Sequence, residues 1–541
     1  MRSASPEHHQ REWRFTALLL LPLLAAQALI TANSSDIGVD GGYYTDVALH
    51  VRDGDGLVSD VSLYHAGFQS FPHASPIYPL WPLLFGLLLR LGAVEDLAHW
   101  VPFGFYVLAL AAAFLFGRSL APRAIMSIPG LHAGHLMALM LGAQQEFSFY
   151  SARPYTEALG FFLLMATLAR AVILFRTPPT LAAGVELGLW MALCCLCRSQ
   201  FFVVPIAALL SFGLLVVGGE HPRRWALAGA AALGLVTLGL ATWWWSVADT
   251  VVDAGPLTLL RFDQAQANRI LDPIDVLKND QGPWDLLLDR LGGLAVAFDP
   301  IHWKFSYARG FYTMHWALPV AALLALPRLS RLRLASVREG LRHPDAFSWI
   351  FVVLVALGAL ATVHLPHKEG FGDWYFHRRH AIICVIAFFL CTLWLLRRPQ
   401  AWQRLLGRIA VCALLGCAIH SFYWRVERLG RPPPPDDNVK LIAYLQQEVA
   451  VRGPVVVALQ AFRPPELAWR TDGVGYHWFY ERTTLRQLVL MFDRLGATLL
   501  IFLDKPTVDW AFRKDLRAFN KTFRLSDEGP EAFLIYSRAP G

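Results

Sequence analysis

Twelve apolar runs, most of them long enough to cross a bilayer, decide most of what this chain can become. They lie at approximately 15–32, 76–91, 97–117, 124–143, 157–175, 181–197, 200–218, 225–247, 311–326, 346–364, 380–396 and 405–424. A helix needs roughly 17–25 apolar residues to traverse the hydrocarbon layer. Soluble domains carry about 25% charged residues. This chain of 541 residues carries 16%, against 55% hydrophobic residues. It reads as a polytopic α-helical membrane protein.

The arginines between the runs set the topology. They fall at Arg118/Arg123, Arg176, Arg223/Arg224, the set Arg328, Arg331, Arg333, Arg338 and Arg342, and then Arg397, Arg398, Arg404 and Arg408. Cytoplasmic loops collect Lys and Arg. With a cytoplasmic N-terminus and all runs crossing, every cluster falls outside. With 76–91 held at the surface, every cluster falls inside. That run is also short, and Pro76, Pro79 and Pro82 interrupt its start. A juxtamembrane helix is therefore expected there, leaving about eleven spans. The net charge of +7 then reports topology and not affinity for nucleic acid. No small-residue cleavage site follows the run Phe15 to Ile30, so a retained first helix is expected. The seven cysteines lie in or beside apolar runs without metal-ligand spacing and read as buried small apolar residues.

This topology places four regions outside. They are 33–96, with Asp36, Asp40, Asp46 and His73; 144–157, with Arg153 and Glu157; 249–310; and 365–379, leading into His380. The short turn at Arg198 also faces outward, against the charge rule. After the last span, RPPPPDD makes a stiff spacer. Beyond it the composition changes. Asp436 and Asp437 are placed to cap a helix reaching about Ala450. PVVVALQ (454–460) and TLLIFLD (498–504) read as buried strands, 482–497 and 508–519 as helices, and FRLSDEG and AFLIYSR as closing strands. The expected division is a membrane module over 1–430 and a small extracytoplasmic α/β domain over 431–541.

Asp40 is the first candidate for chemistry. Tyr43/Tyr44, Val47/Ala48 and Val51 follow it at three- and four-residue spacing, which predicts an amphipathic helix lying on the membrane. Asp40 stands at its N-terminus, where the dipole favours an ionised carboxylate. Such a group accepts a proton, binds a metal, or merely caps the helix. Glu157 is a second outer carboxylate, and Arg153, one turn earlier, is placed to pair with it or with a phosphate. Arg198, Arg378 and Arg379 sit at outer ends of spans, where a guanidinium either clamps a phosphate or snorkels to headgroups. Histidines 73, 364, 367, 377 and 380 share the compartment without a metal-binding spacing. Trp243, Trp244, Trp245, Trp303, Tyr307, Trp374 and Tyr375 read mainly as an interfacial aromatic belt.

Four stretches together resemble the GT-C glycosyltransferases, the group that includes protein O-mannosyltransferases and aminoarabinose transferases. They are VDGGYYTDVALHVRDGDGL after the first helix, HASPIYPLWPLL, ARPYTEAL, and WYFHRRHAIICVIAFFL. The resemblance spans about residues 10–425 and implies transfer from a polyprenyl-phosphate sugar to a glycan, lipid or protein acceptor on the outer face of a bacterial-type cell membrane. It puts Asp40 in the place of the catalytic acidic residue of the first outer loop. Many members have Asp-Glu there; this chain has Asp40-Gly41. Glu157 matches the acidic residue of the second outer loop, and Arg378 or Arg379 matches the donor-phosphate arginine. Arg198 is a further phosphate candidate, and Tyr43, His73 and Arg153 are substrate-side candidates. No cofactor is fixed by these motifs, and a divalent metal stays open. Two rivals belong to other classes. A transporter or flippase of lipid-linked sugar calls for repeated helical halves, which the sequence lacks. A non-catalytic membrane scaffold would leave Asp40 dispensable.

Overall fold

The structure, a computed structural model, describes residues 6–34, 37–62, 72–75, 77–122, 130–218, 221–247, 344–364, 382–397, 401–429, 438–459, 464–478, 498–502, 516–528 and 534–538, with isolated positions between them. The helical part comprises α1 (Pro6–Ala32), α2 (Val39–Asp53), α3 (Leu80–Leu88), α4 (Val94–Leu120), α5 (Ala133–Gly142), α6 (Gln145–Tyr150), α7 (Glu157–Leu174), α8 (Leu181–Cys197), α9 (Val203–Gly218), α10 (Pro222–Val247), α11 (Pro344–His364), α12 (Val385–Leu396) and α13 (Ala401–Leu429). Among the described residues, five helices are long and apolar enough to cross a membrane: α1, α4, α7, α9 with its preceding turn, and α10. Shorter apolar helices at α5, α8, α11 and α12 complete a membrane bundle. The run at 311–326 and the loops 249–310 and 365–379 lie outside the described residues.

Small residues let these helices approach closely. On α8, Gly184 and Gly188 face Ala228 and Ala232 of α10, four residues apart on each side. A Cβ at Gly184 would lie 2.5 Å from the Ala228 carbonyl oxygen, and one at Gly188 would lie 2.7 Å from Ala232 Cα. In a membrane, where lipid competes for apolar contact, such backbone proximity is a main source of helix association. α3 is nine residues, about 13 Å long at 1.5 Å per residue, too short to span. Trp81 at its start donates to the Pro154 carbonyl at 2.9 Å. Arg90 just past its end reaches the Arg52 carbonyl. Both ends of α3 thus stay at one end of the bundle, as the arginine pattern requires of a surface helix.

The bundle has two chemically different ends. Arg176, after α7, donates to the carbonyls of Ser119 and Leu120 at the end of α4. Phe175 packs on Trp225, next to Arg223 and Arg224, and on Phe351 of α11. Arg397 covers the Trp349 ring. These arginines therefore share one end. The N-termini of α2 and α7 and the C-terminus of α8 lie at the other.

That other end carries a six-stranded sheet ordered β2-β5-β4-β6-β8-β7, from β2 (Val61–Ser62), β4 (Val455–Leu459), β5 (Val474–Trp478), β6 (Leu499–Phe502), β7 (Phe523–Glu528) and β8 (Leu534–Arg538). The strands β2, β5, β4 and β6 run parallel, and β8 and β7 are antiparallel. Helices α14 (Asn438–Arg452), α15 (Pro464–Ala468) and α16 (Leu516–Thr522) accompany it. The expected strands at 454–460, 498–504 and the chain end all form. β5 and β2 were not expected, and β2 comes from the first outer loop: Val61 and Ser62 align with Tyr476 and His477. A two-residue pair, β1 (Val58–Ser59) with β3 (His73–Ala74), folds that loop back on itself.

α2 differs from the sequence expectation of a helix with one apolar face on lipid. Tyr43 and Val47 are buried with Val61, Leu441, Leu445, Val455, Val474 and Tyr476. Ala48, one residue on, is buried in the core of the bundle. A Cβ at Gly86 of α3 would meet the Ala48 carbonyl at 2.6 Å. The helix is therefore clasped between the bundle and the sheet.

Candidate functional site

Asp40 occupies the first turn of α2 and is half-buried. The backbone turns into α2 at Gly38, whose φ of 68° lies in the left-handed region that a side chain strains to enter. A Cβ there would also lie 2.5 Å from the Tyr155 hydroxyl, and one at Gly41 would lie 3.1 Å from the Pro154 ring. Paired glycines flanking Asp40 thus let the start of α2 press against residues 154–155. That segment is itself held from two sides, by Trp81 on the Pro154 carbonyl and by His99 Nδ1 donating to the Ala152 carbonyl at 2.7 Å.

Two residues beyond Tyr155, Glu157 opens α7 and is fully buried. Its carboxylate accepts from Arg198 Nη1, which also donates to the Thr156 hydroxyl at 3.2 Å. Arg198 caps the C-terminus of α8. An anion at a helix start and a cation at a helix end each match the local dipole, so the antiparallel pair α7/α8 places both where they are favoured. Both bonds leave from Nη1. The Nε–Nη2 edge of the guanidinium has no partner among the described residues.

The sequence grouped these residues differently. Arg153, expected one turn from Glu157, lies with its guanidinium 3.9 Å from the centre of the Phe149 ring, and Glu157 forms an ion pair with Arg198. Tyr43 is spent on packing: it is buried, and its hydroxyl meets Ser75 Oγ at 2.8 Å. Burial drives its phenol well above the usual range. His73 pairs with Ser59 in the β1–β3 ladder. Arg378 and Arg379, with His377, His380, Trp303, Tyr307, Trp374 and Tyr375, lie outside the described residues. Trp243 stacks on Tyr78 at 4.7 Å, joining α10 to the first outer loop.

A second polar centre, behind Asp40 on α2, was not singled out from the sequence. Asp46 is buried; its Oδ2 accepts Ser59 Oγ at 2.6 Å and the Asp60 amide at 3.1 Å. Burial and the neighbouring Asp60 push its carboxyl up to about 7. His50, one turn later, is pushed up to about 9, chiefly by Asp60 and then Asp55. The sequence signal was Asp46 and His50 at i and i+4, which share a helix face.

No family model and no curated protein matches the sequence. Among solved structures, the chain is similar to the Archaeoglobus fulgidus oligosaccharyltransferase complex with Zn and sulfate, at 11% identity and a TM-score of 0.55, covering 95% of this chain and 73% of that one. It is similar to the same organism's AglB in complex with an inhibitory peptide and a dolichol-phosphate, at 11% identity and a TM-score of 0.53, covering 98% and 75%. ArnT from Cupriavidus metallidurans bound to undecaprenyl phosphate aligns over 97% of this chain and all of that one, at 14% identity and a TM-score of 0.45. The chain is thus an integral membrane protein that shares its fold with the Archaeoglobus fulgidus structure.

Proposed function

We propose that this protein is an inverting glycosyltransferase that moves a sugar from a polyprenyl-phosphate donor to an acceptor hydroxyl on the outer face of the membrane. The observation that supports this reading is the close packing of the start of α2, which carries Asp40, against residues 154–155, just before the Glu157–Arg198 pair, at the end of the bundle opposite the arginine-rich end. Positive charge marks the cytoplasmic side, so this end faces out and the sheet of residues 438–541 lies over it. About eleven spans, with those outside the described residues, complete the module.

In the reaction, Asp40 takes the proton of the acceptor hydroxyl. The acceptor oxygen attacks the anomeric carbon from the face opposite the phosphate, and the bond to the phosphate oxygen breaks. Polyprenyl phosphate leaves with that electron pair, and the anomeric centre inverts. Charge grows on the leaving oxygens, where a preplaced cation lowers the barrier. Arg198 offers its Nε–Nη2 edge for this, a geometry suited to two bonds to one phosphate, while Nη1 stays on Glu157. Arg378 or Arg379 supplies the second cation. Because Arg198 already balances Glu157, we assign Glu157 to positioning the guanidinium and not to binding a metal. Sugar and acceptor are to be read from the lipid-linked sugars that accumulate, and the surface glycans that vanish, when the gene is deleted.

Membranes or purified protein supplied with polyprenyl-phosphate sugar test the assignment. Asp40→Asn is expected to slow transfer by roughly a hundred- to ten-thousand-fold with the protein still folded. Unchanged transfer by that variant removes Asp40 as the base.

A further inference from the structure

We infer that Asp46, His50 and Asp60 form a binding site for a divalent transition-metal cation, such as zinc, that ties α2 to the sheet. The inference is independent of the glycosyltransferase reading. One ligand atom from each residue lies within 4.8 Å of the others. Asp46 and His50 project from successive turns of α2, and Asp60 immediately precedes β2.

The geometry around His50 points to a cation. Its Nδ1 lies 3.0 Å from Asp55 Oδ2, the contact that fixes the proton on Nδ1. Nε2 faces Asp60 Oδ2 at 3.3 Å, close enough for a proton or a metal ion on Nε2 to bridge the two. Zinc bonds of about 2.1 Å in a tetrahedron separate ligand atoms by about 3.4 Å, close to the His50–Asp60 separation, and the third ligand atom lies within 4.8 Å of both. A carboxylate on the far ring nitrogen is the usual support for a metal-ligating histidine, and Asp55 supplies it. Asp46 is likewise held by Ser59 and the Asp60 amide. One imidazole and two carboxylates suit zinc or a neighbouring divalent metal. Three protein ligands leave a fourth position for water.

The rival is a doubly protonated His50 bridging two carboxylates without metal. Full-length protein in detergent, stripped with a chelator, reloaded with zinc chloride and desalted, separates the two by elemental analysis. Close to one zinc per chain is expected, lost in His50→Ala and in Asp60→Asn. Asp55→Asn should weaken zinc binding about 10- to 100-fold. Equal zinc in wild type and both ligand variants, or none in wild type, overturns the site in favour of the imidazolium. Should the variants not fold, zinc-edge X-ray absorption of the unaltered protein decides. One imidazole and oxygens at about 2.0–2.2 Å support the site; several imidazoles or a sulfur overturn it.

Discussion

Glu157 and Arg198 offer the sharpest quantitative test. Glu157 is wholly buried and the Arg198 side chain is 10% exposed, so neither charge has water to fall back on. Arg198→Met leaves a buried carboxylate facing methylenes. Breaking such a pair by removing one partner costs about 3–5 kcal/mol, a shift of more than a hundredfold in the folding equilibrium. Glu157→Gln is expected to cost less, about 1–3 kcal/mol, because the amide still accepts from Nη1. The double variant removes both charges together and should be more stable than the sum of the two losses by up to about 3 kcal/mol. Reversible unfolding in mixed micelles, followed by tryptophan fluorescence, measures all four corners of the cycle. Additive losses, within about 0.5 kcal/mol, would refute the coupling and with it the positioning role given to Glu157.

Gly184→Ala and Gly188→Ala drive a methyl group into α10 and should each cost about 1–3 kcal/mol, whereas Gly213→Ala, with open space around it, should be neutral or stabilising by up to about 1 kcal/mol; thermal midpoints check both. Val47→Asp buries a carboxylate between α2 and the sheet and should abolish transfer along with a large fall in midpoint; full activity in that variant would show that α2 does not need the sheet. In a cysteine-free background, a cysteine at exposed Asp53 should react in intact cells with an impermeant maleimide, and one at Arg223 should not; the reverse pattern inverts the topology.

Much of the fold was legible because membrane solvation is a coarse force. Run length and the sidedness of arginine identify spans, and the prolines before α3 together with that sidedness expose it as a surface helix. The strands β4, β6 and β8 were visible as short apolar runs, and β7 as the segment closing the chain beside β8. β5 escaped because Gly475 and His477 break up VGYHW, although Val474 and Tyr476 alternate with them at strand spacing. β2 escaped because two residues carry no periodicity; its partner lies more than four hundred residues away. Near the proposed site, the place of Asp40 in the first turn of a helix could be read from the sequence. The Glu157–Arg198 pair could not, since local spacing offered Arg153 instead. The clue was Arg198 itself, the arginine on the wrong side of the charge rule, opposite a glutamate on the antiparallel neighbour.

The clasping of α2 between bundle and sheet also fixes an order of events during synthesis. α2 emerges early, but the strand that seals its outer face is about 420 residues further along the chain. At about 5–20 residues per second, the ribosome takes some 20–80 s to deliver it. Throughout that interval the helix bearing Asp40 has only half its surroundings, so the proposed catalytic centre is expected to be completed among the last steps of biogenesis, and a stalled or prematurely terminated chain to insert without it.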